Sequence, residues 1–247
     1  SHCRRSRIVP EARRRWGSAG RYDRPVAPVP PPPTAEARRH ARTILARLKK
    51  RYPLAETALV YRDPWQLLVA TVLSAQTTDA NVNGVTPVLF SRWPSPEDLA
   101  EADPEEVEAV VHSTGYYREK TRSSIALSAD LVERFGGRVP DDQESLVTLR
   151  GVGRKTASVV LAEAFRKPAI AVDTHVGRLA RRLGLSEAAD PARVEADLRS
   201  LYPTREWGGI SMRFILFGRE VCIARRPRCA ACPLDDRCPY PDKSAAG

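Results

Sequence analysis

The sequence has no run of 18 consecutive apolar residues, which is about the length that a helix needs to cross a membrane. It also lacks a charged start followed by an apolar stretch, so we expect neither a membrane span nor a secretory signal. Acidic residues are scarce: 30 stand against 40 Lys and Arg, which gives a net charge of +10. This balance favours a polyanionic partner such as nucleic acid, although a basic protein without such a partner is an equally simple interpretation.

Cysteine is absent from most of the chain. Only five occur, and four of them fall within 17 residues: Cys222, Cys229, Cys232 and Cys238. A secreted disulfide framework would spread its cysteines along the chain, so this clustering indicates a metal or cluster site in a reducing compartment. Four thiolates can hold zinc or a [4Fe–4S] cluster. Zinc ribbons usually pair two Cys-x2-Cys units and this chain has one, but the spacing leaves both open.

The sustained apolar–polar alternation of half-buried strands is also missing. Helix signals are frequent instead, because capping side chains precede prolines at Asp63, Ser95, Asp103 and Asp190. Asp141 with Glu144 predicts a capping box, and helix-ending glycines are predicted at Gly115, Gly136 and Gly184. The chain is therefore predicted to be all-α, with helices at about 36–51, 64–75, 79–90, 104–113, 118–135, 142–149, 154–165, 174–183, 191–201 and 205–219.

Residues 1–33 differ from the rest of the chain. They hold eight arginines against two acidic residues, a net charge of +6, and end in a run of prolines. The segment has no apolar period, so we expect a disordered arm with a stiff polyproline end. A DNA-binding tail, a solvated tail and an organelle transit peptide are its three interpretations.

Residues 146–157 (LVTLRGVGRKTA) join two short helices through Gly-x-Gly. Gly151 and Gly153 permit unusual backbone angles, and the helix that follows presents unpaired N–H groups to a phosphate, with the charge of Arg154 beside them. A tight turn that binds nothing is the alternative. Lys155 lies at the start of this helix, where the dipole and Arg154 both favour its neutral, nucleophilic form. Asp173 follows an apolar run and precedes a helix, so the residues alone favour a helix cap.

Five motifs in order resemble the endonuclease III family of DNA glycosylases, over about residues 40–240. They are the hairpin, the cysteine cluster and the segments 73–79 (LSAQTTD), 114–117 (TGYY) and 170–176 (IAVDTHV). The resemblance implies the helix–hairpin–helix glycosylase fold: a six-helix barrel lobe at 57–167, an iron–sulfur cluster lobe made of 34–56 and 168–240, and a tail at 241–247.

The resemblance also implies an activity and a set of site residues. It implies a bifunctional glycosylase and abasic-site lyase of base excision repair, which removes oxidised pyrimidines through a Schiff base on Lys155 and nicks the strand by β-elimination. Asp173 would assist catalysis, and the four cysteines would hold a [4Fe–4S] cluster. The predicted DNA contacts are Gln76, Tyr116, Arg150, Gly151, Val152, Gly153, Arg154, Arg225, Arg226 and Arg228.

Three positions depart from the family pattern: Tyr116, Arg150 and Phe217 stand where Leu, Pro and His are usual. Tyr116 has a simple alternative as a buried aromatic, and the arginines near the cysteines as a solvated face. The expected partner is duplex DNA with a damaged base or an abasic site. We expect a monomer in the bacterial cytoplasm, associated with the nucleoid, rather than in an organelle or nucleus.

Several rival functions stay open at this point. A relative that removes adenine or mismatched bases commonly lacks the lysine found at position 155, and the adenine-removing type carries a further C-terminal domain. A pyrimidine-dimer glycosylase shares the lysine chemistry. A non-catalytic iron–sulfur DNA-binding protein would use Lys155 only as a phosphate contact, and a small electron carrier would need neither the hairpin nor a second lobe.

Overall fold

The computed structural model describes residues 32–243. Cys3, the arm at 1–33 except for its last two residues, and the tail beyond 243 lie outside the described residues. The described part is helical and contains no strand, which confirms the predicted all-α class. Its α-helices are α1 (Ala35–Arg51), α2 (Pro64–Leu73), α3 (Asp79–Arg92), α4 (Pro96–Ala100), α5 (Pro104–Val111), α6 (Tyr117–Phe135), α7 (Gln143–Leu146), α8 (Arg154–Glu163), α9 (Thr174–Arg182), α10 (Pro191–Leu201) and α11 (Trp207–Glu220).

Side-chain caps begin most of these helices. Eight of the eleven α-helices in residues 32–243 have an N-cap whose side chain accepts a hydrogen bond from the first turn. The predicted caps Asp63, Ser95, Asp103 and Asp190 are all confirmed. The three helices without such a bond are α6, α8 and α11. Their first N–H groups are therefore left without a capping side chain.

The predicted capping box at Asp141 is wrong by one residue. Asp142 caps α7, and its Oδ1 accepts from the Ser145 N–H at 2.8 Å. Asp141 instead accepts a hydrogen bond at 2.6 Å from Lys167 Nζ. Both aspartates have the capping chemistry, so only the contact with Lys167, 26 residues away, separates them.

The predicted helix bounds agree with the structure to within two residues, except in two places. Helix α4 is missing from the predicted set, although its cap Ser95 was predicted. Helix α7 ends at Leu146, because the N–H groups of Thr148 and Leu149 bond to carbonyls three residues back. Gly136 and Gly184 end their helices as predicted. Gly115 instead follows a short 3₁₀ turn, with a φ of 68° and a ψ of 156°.

Two hydrophobic cores organise the helices. The first contains buried residues of α2 to α8 and is continuous in sequence from Leu59 to Ala169. The second combines Ala41, Ile44, Leu45 and Leu48 of α1 with buried residues from Ile170 to Leu234. We call the surrounding helices the first lobe and the second lobe. None of the helices in the described part is both long and apolar enough to span a bilayer.

Candidate active site

The hairpin before α8 is held against α6. Gly151 has a φ of +74°, and a Cβ added there would lie 2.8 Å from the Cβ of Ser123. Val152 is buried in the first core, and its N–H bonds to the Leu149 carbonyl at 3.1 Å. The backbone N–H of Arg150 donates to Asp130 Oδ2 at 3.2 Å. These contacts fix the turn, and its glycine is required by both backbone angle and space.

The start of α8 is open to solvent. Gly153 is its N-cap and contributes no side-chain hydrogen bond, so the first N–H groups keep their partial positive charge. Lys155 is exposed and makes no hydrogen bond or ion pair with any residue in 32–243. Arg154 is different, because its Nε bonds to Glu195 Oε2 at 2.7 Å. The structure therefore leaves an unengaged amine beside a surface that suits a phosphate.

Asp173 caps α9. Its Oδ1 accepts from the Val176 N–H at 2.8 Å, which confirms the capping role that the residues alone favoured. The side chain is partly buried, and this is its one hydrogen bond within the described residues. The segment that leads into Asp173 is held in place because the Ala171 N–H donates to the buried Ser211 hydroxyl at 2.9 Å. The position of Asp173 is therefore fixed, and its second carboxylate oxygen accepts no hydrogen bond within the described residues.

Helix α9 connects Asp173 to the cysteine segment. Arg178 donates to the carbonyls of Gly218 at 3.0 Å and Cys222 at 3.1 Å, and it contacts His175 Nδ1 at 3.1 Å. Burial lowers the pKa of His175, which the nearby charge of Asp173 opposes. Arg182 extends the connection by donating to Cys222 Sγ and the Ile223 carbonyl.

The four cysteines line one cavity together with apolar side chains, among them the buried Phe217. All four are free thiols and half-buried. Burial raises the pKa of Cys232 to about 11, although the Leu234 N–H points at its sulfur from 3.4 Å. Within residues 32–243 no group of three or more His, Cys, Asp or Glu side chains is arranged to hold a metal ion directly. The four cysteine side chains nevertheless line one shared cavity.

Gln76 and Tyr116 lie on two loops, and the side chain of Asn81 forms hydrogen bonds with both loops. Asn81 Nδ2 donates to Thr77 Oγ1 at 2.9 Å and to the Ser113 carbonyl at 2.8 Å. Both Gln76 and Tyr116 have positive φ angles, +56° and +49°. Tyr116 is 69% exposed, so its interpretation as a buried aromatic is wrong. The two loops thus present their predicted DNA-contacting side chains from a shared support.

Further contacts link these loops to the other motifs. Arg219 of α11 pairs with Asp79 at 3.0 Å, which joins the second lobe to the start of α3. Arg150 of the hairpin lies 3.8 Å from Glu119, in the first turn of α6 after Tyr116. The structure therefore connects the hairpin with the Tyr116 loop through α6. It gives no direct hydrogen bond or ion pair between Lys155 and Asp173.

The predicted basic rim is exposed. Arg225, Arg226 and Arg228 all face solvent on the segment between the first two clustered cysteines. This exposure is compatible with both interpretations, DNA contact and solvated face.

Sequence reasoning missed several residues that build the site. Lys120 is buried and donates to the Thr114 carbonyl at 2.6 Å, directly beneath the Tyr116 loop, and burial lowers its pKa. Asn81, Ser123 and Glu195 were also missed. Each acts on a partner more than 20 residues away, and no local spacing signals such a contact.

Comparisons with known proteins agree with this geometry. Residues 69–204 match the model of the HhH-GPD superfamily of base excision DNA repair proteins. The chain is 50% identical to an endonuclease III of Synechocystis sp. over 83% of this chain and 94% of that protein. It is 39% identical to the endonuclease III of Escherichia coli over 81% of this chain and 95% of that protein.

Solved structures show the same likeness. An endonuclease III trapped as a covalent intermediate with DNA has a TM-score of 0.78 and 44% identity, covering 82% of this chain and 95% of its own. A non-covalent endonuclease III–DNA complex gives the same values. A thermostable thymine-DNA glycosylase, at 21% identity and a TM-score of 0.74, shares the fold.

The two hairpin glycines make a matched pair for a test. Gly151→Ala should weaken binding to a duplex oligonucleotide and lower the melting temperature, because it adds an overlap with Ser123 to a left-handed backbone that costs about 1–2 kcal/mol for an L side chain. Gly153→Ala should be far milder, since nothing lies within 4 Å of its added Cβ and its φ is −89°. Equal losses in the two variants, measured by fluorescence anisotropy and thermal unfolding, would contradict the packing role of Gly151.

Proposed function

The chain belongs to the endonuclease III family of HhH-GPD base excision repair proteins, and on that basis we propose that it is a DNA glycosylase with abasic-site lyase activity. The single observation that carries the proposal is the exposed, unengaged Lys155 at the open start of α8, directly behind a phosphate-binding hairpin. The substrate is duplex DNA, with oxidised pyrimidines as the damaged bases.

The proposed reaction begins with the target nucleotide turned out of the duplex, as glycosylases require. Lys155 Nζ attacks the anomeric carbon of the sugar, and the bond to the base breaks as the base leaves with its electron pair. The sugar ring opens to a Schiff base on Lys155. Loss of a proton from C2′ and departure of the 3′ phosphate then nick the strand, and water releases the enzyme.

Asp173 supplies the negative charge in this scheme. Its partly buried carboxylate stabilises cationic sugar character as the base departs, or takes a proton from the Lys155 ammonium so that the neutral amine can attack. The cap hydrogen bond to Val176 uses one oxygen and fixes the side chain's direction. The second oxygen is then free for the reacting atoms.

The DNA contacts follow from the open helix starts and the exposed loops. The N–H groups of the hairpin bind a phosphate, and Gln76 and Tyr116 occupy the space left by the extruded nucleotide. Aromatic stacking is worth about 1–3 kcal/mol per base, so Tyr116 can serve where Leu is usual. Arg225, Arg226 and Arg228 add backbone contacts. We further propose a monomer that works on the nucleoid in the bacterial cytoplasm.

The cysteine cavity fits a [4Fe–4S] cluster, because four thiols share one cavity with apolar side chains and four thiolates are the ligand set of such a cluster. The spacing of the four cysteines favours the cluster over zinc, since it resembles the iron–sulfur loop of the family and contains only one Cys-x2-Cys pair. Cys222, Cys229, Cys232 and Cys238 would hold the cluster, with Arg182 and the Leu234 N–H directed at two of the sulfurs. When bound, such a cluster cross-links this segment and offers one-electron chemistry.

The lysine assignment is tested by covalent trapping. Lys155→Gln should abolish borohydride trapping on a duplex with an abasic site while retaining duplex binding, because the amide cannot form a Schiff base. Lys167→Gln is the matched control, since Lys167 is occupied by Asp141 and should be dispensable. Full trapping by the Lys155 variant would show that another amine is the nucleophile.

Asp173→Asn separates the catalytic role from the cap. Asn caps a helix about as well as Asp, so thermal unfolding should change little. Base release in single-turnover assays should fall by about 10²-fold or more, in the range of lost acid–base catalysis. A variant with wild-type base release would leave Asp173 with its structural role alone.

The cluster assignment is tested by metal analysis. Protein purified without oxygen should contain about four iron and four sulfide per chain, the stoichiometry of a [4Fe–4S] centre. Cys232→Ser should lose most of both, whereas Cys3→Ser should lose neither. Zinc without sulfide in the wild-type protein would contradict the assignment.

A further inference from the structure

A buried carboxylate in the second lobe bonds to the residue next to Lys155. Glu195 lies on α10, and only 4% of its side chain is exposed. Arg154 Nε donates to its Oε2 at 2.7 Å, across 41 residues of sequence. Arg199 Nη2 lies 2.5 Å from its Oε1, as an ion-pair contact without hydrogen-bond alignment. The aligned hydrogen bond that Glu195 accepts therefore comes from Arg154, a residue of the first lobe.

Among the ion pairs described within residues 32–243, those of Glu195 have the most deeply buried carboxylate. Burying a carboxylate costs several kcal/mol unless it is paired and hydrogen-bonded, so Glu195 depends on its arginines. Arg199 is held in turn by the Trp207 ring, 4.8 Å from its guanidinium carbon. The Arg219–Asp79 pair also joins the lobes, and its arginine is about as exposed as Arg154, but 23% of the Asp79 side chain is exposed against 4% for Glu195. The burial of its carboxylate therefore distinguishes the Arg154–Glu195 pair, because solvent screens an exposed charge more strongly.

The position of this bond matters because the two groups of the reaction lie on different lobes. Lys155 lies in the first turn of α8 in the first lobe, and Asp173 is the N-cap of α9 in the second. Helix α8 has no side-chain cap, so its first turn has to be fixed by other contacts. Arg154 precedes Lys155 directly, and its hydrogen bond to Glu195 of α10 ties this turn to the second lobe.

We propose that Glu195 is a positioning residue for the lysine chemistry: by holding Arg154, it fixes Lys155 relative to Asp173. The proposal rests on the proposed function in so far as it concerns the reaction. Misplacement of a reacting group by about 1 Å can cost about 10²-fold in rate. Glu195 touches neither the substrate nor the reacting atoms and acts through Arg154.

Glu195 also affects DNA binding through its charge, and this effect is opposite to its effect on the reaction: it weakens binding. Its charge offsets that of Arg154 beside the open N–H groups of α8. Removing the Glu195 charge therefore leaves a stronger positive site for a phosphate. A loss of position should slow the chemistry while duplex affinity stays constant or rises, a split that general loosening of the lobe would not produce.

The first test compares two variants of the same helix. Glu195→Gln should slow single-turnover trapping about tenfold or more, with unchanged or tighter duplex binding. Asp197→Asn is the matched control, because Asp197 lies two residues on, accepts from Ser186 Oγ at 2.6 Å and has no contact with the hairpin. The control should trap at the wild-type rate. Equal slowing in both variants would overturn the proposal.

A double-mutant cycle tests whether Glu195 acts through Arg154. Arg154→Gln should also slow trapping. Its side chain is 54% exposed and Glu195 keeps Arg199 as an ion-pair partner, so this variant should fold even if Glu195→Gln does not. The double variant should be no slower than Arg154→Gln alone, because coupled residues give non-additive effects. Multiplied effects, or wild-type trapping in both single variants, would overturn the proposal.

Hydrogen–deuterium exchange gives a reading that needs no activity. In the DNA-free holoprotein, the hydrogen-bonded amides of Val152 and Ala157, on either side of the open turn, should exchange several-fold faster in Glu195→Gln than in the wild type. Their exchange should be unchanged in Asp197→Asn. Unchanged exchange in Glu195→Gln would overturn the positioning role. Wild-type protein that never traps on an abasic site would instead overturn the proposed function, so the two failures are distinct.

Discussion

The site depends on one constraint: the start of α8 has to stay open and yet stay in place. Most helices of the described part close their first turn with a side-chain cap, and a cap both satisfies the N–H groups and fixes the chain. At α8 the cap is glycine, so the N–H groups and Lys155 remain available. The fixing is done from outside the helix, by Ser123 against Gly151 and by Glu195 on Arg154.

The same solution recurs at α6, the helix that follows the Tyr116 loop. Tyr116 gives no capping bond and adopts a left-handed backbone that a tyrosine adopts only under restraint. The restraint comes from Lys120 on the Thr114 carbonyl and from Asn81 on the Ser113 carbonyl. Two of the three uncapped helices in residues 32–243 thus begin at predicted DNA-contacting motifs, and both are braced by polar side chains from elsewhere.

The sequence predicted those features that depend on neighbouring residues. Caps such as Asp63 and Asp190, the hairpin glycine Gly151 and the capping role of Asp173 all follow from local backbone chemistry. The error at Asp141 arose where two adjacent aspartates are chemically equal and a distant lysine decides between them.

The braces could not be predicted from the sequence, for a physical reason. Lys120 and Glu195 read as ordinary charged residues of amphipathic helices, which usually face solvent. Their burial depends on which faces of α6 and α10 the packed cores cover, and that is settled only when the tertiary structure forms. Motifs that contact a substrate can thus be recognised in a single sequence, whereas the residues that hold those motifs in position cannot.

The second lobe draws on both ends of the described chain, and this shapes its synthesis on the ribosome. Arg47 of α1 donates to the Pro233 carbonyl at 2.8 Å and pairs with Asp236, almost 190 residues later. The first lobe is continuous in sequence and can pack while translation continues. Helix α1 leaves the exit tunnel before the first lobe, but it can complete its packing only after the cysteine segment has followed. The second core is therefore completed only after the first lobe, with the hairpin before α8, has been synthesised.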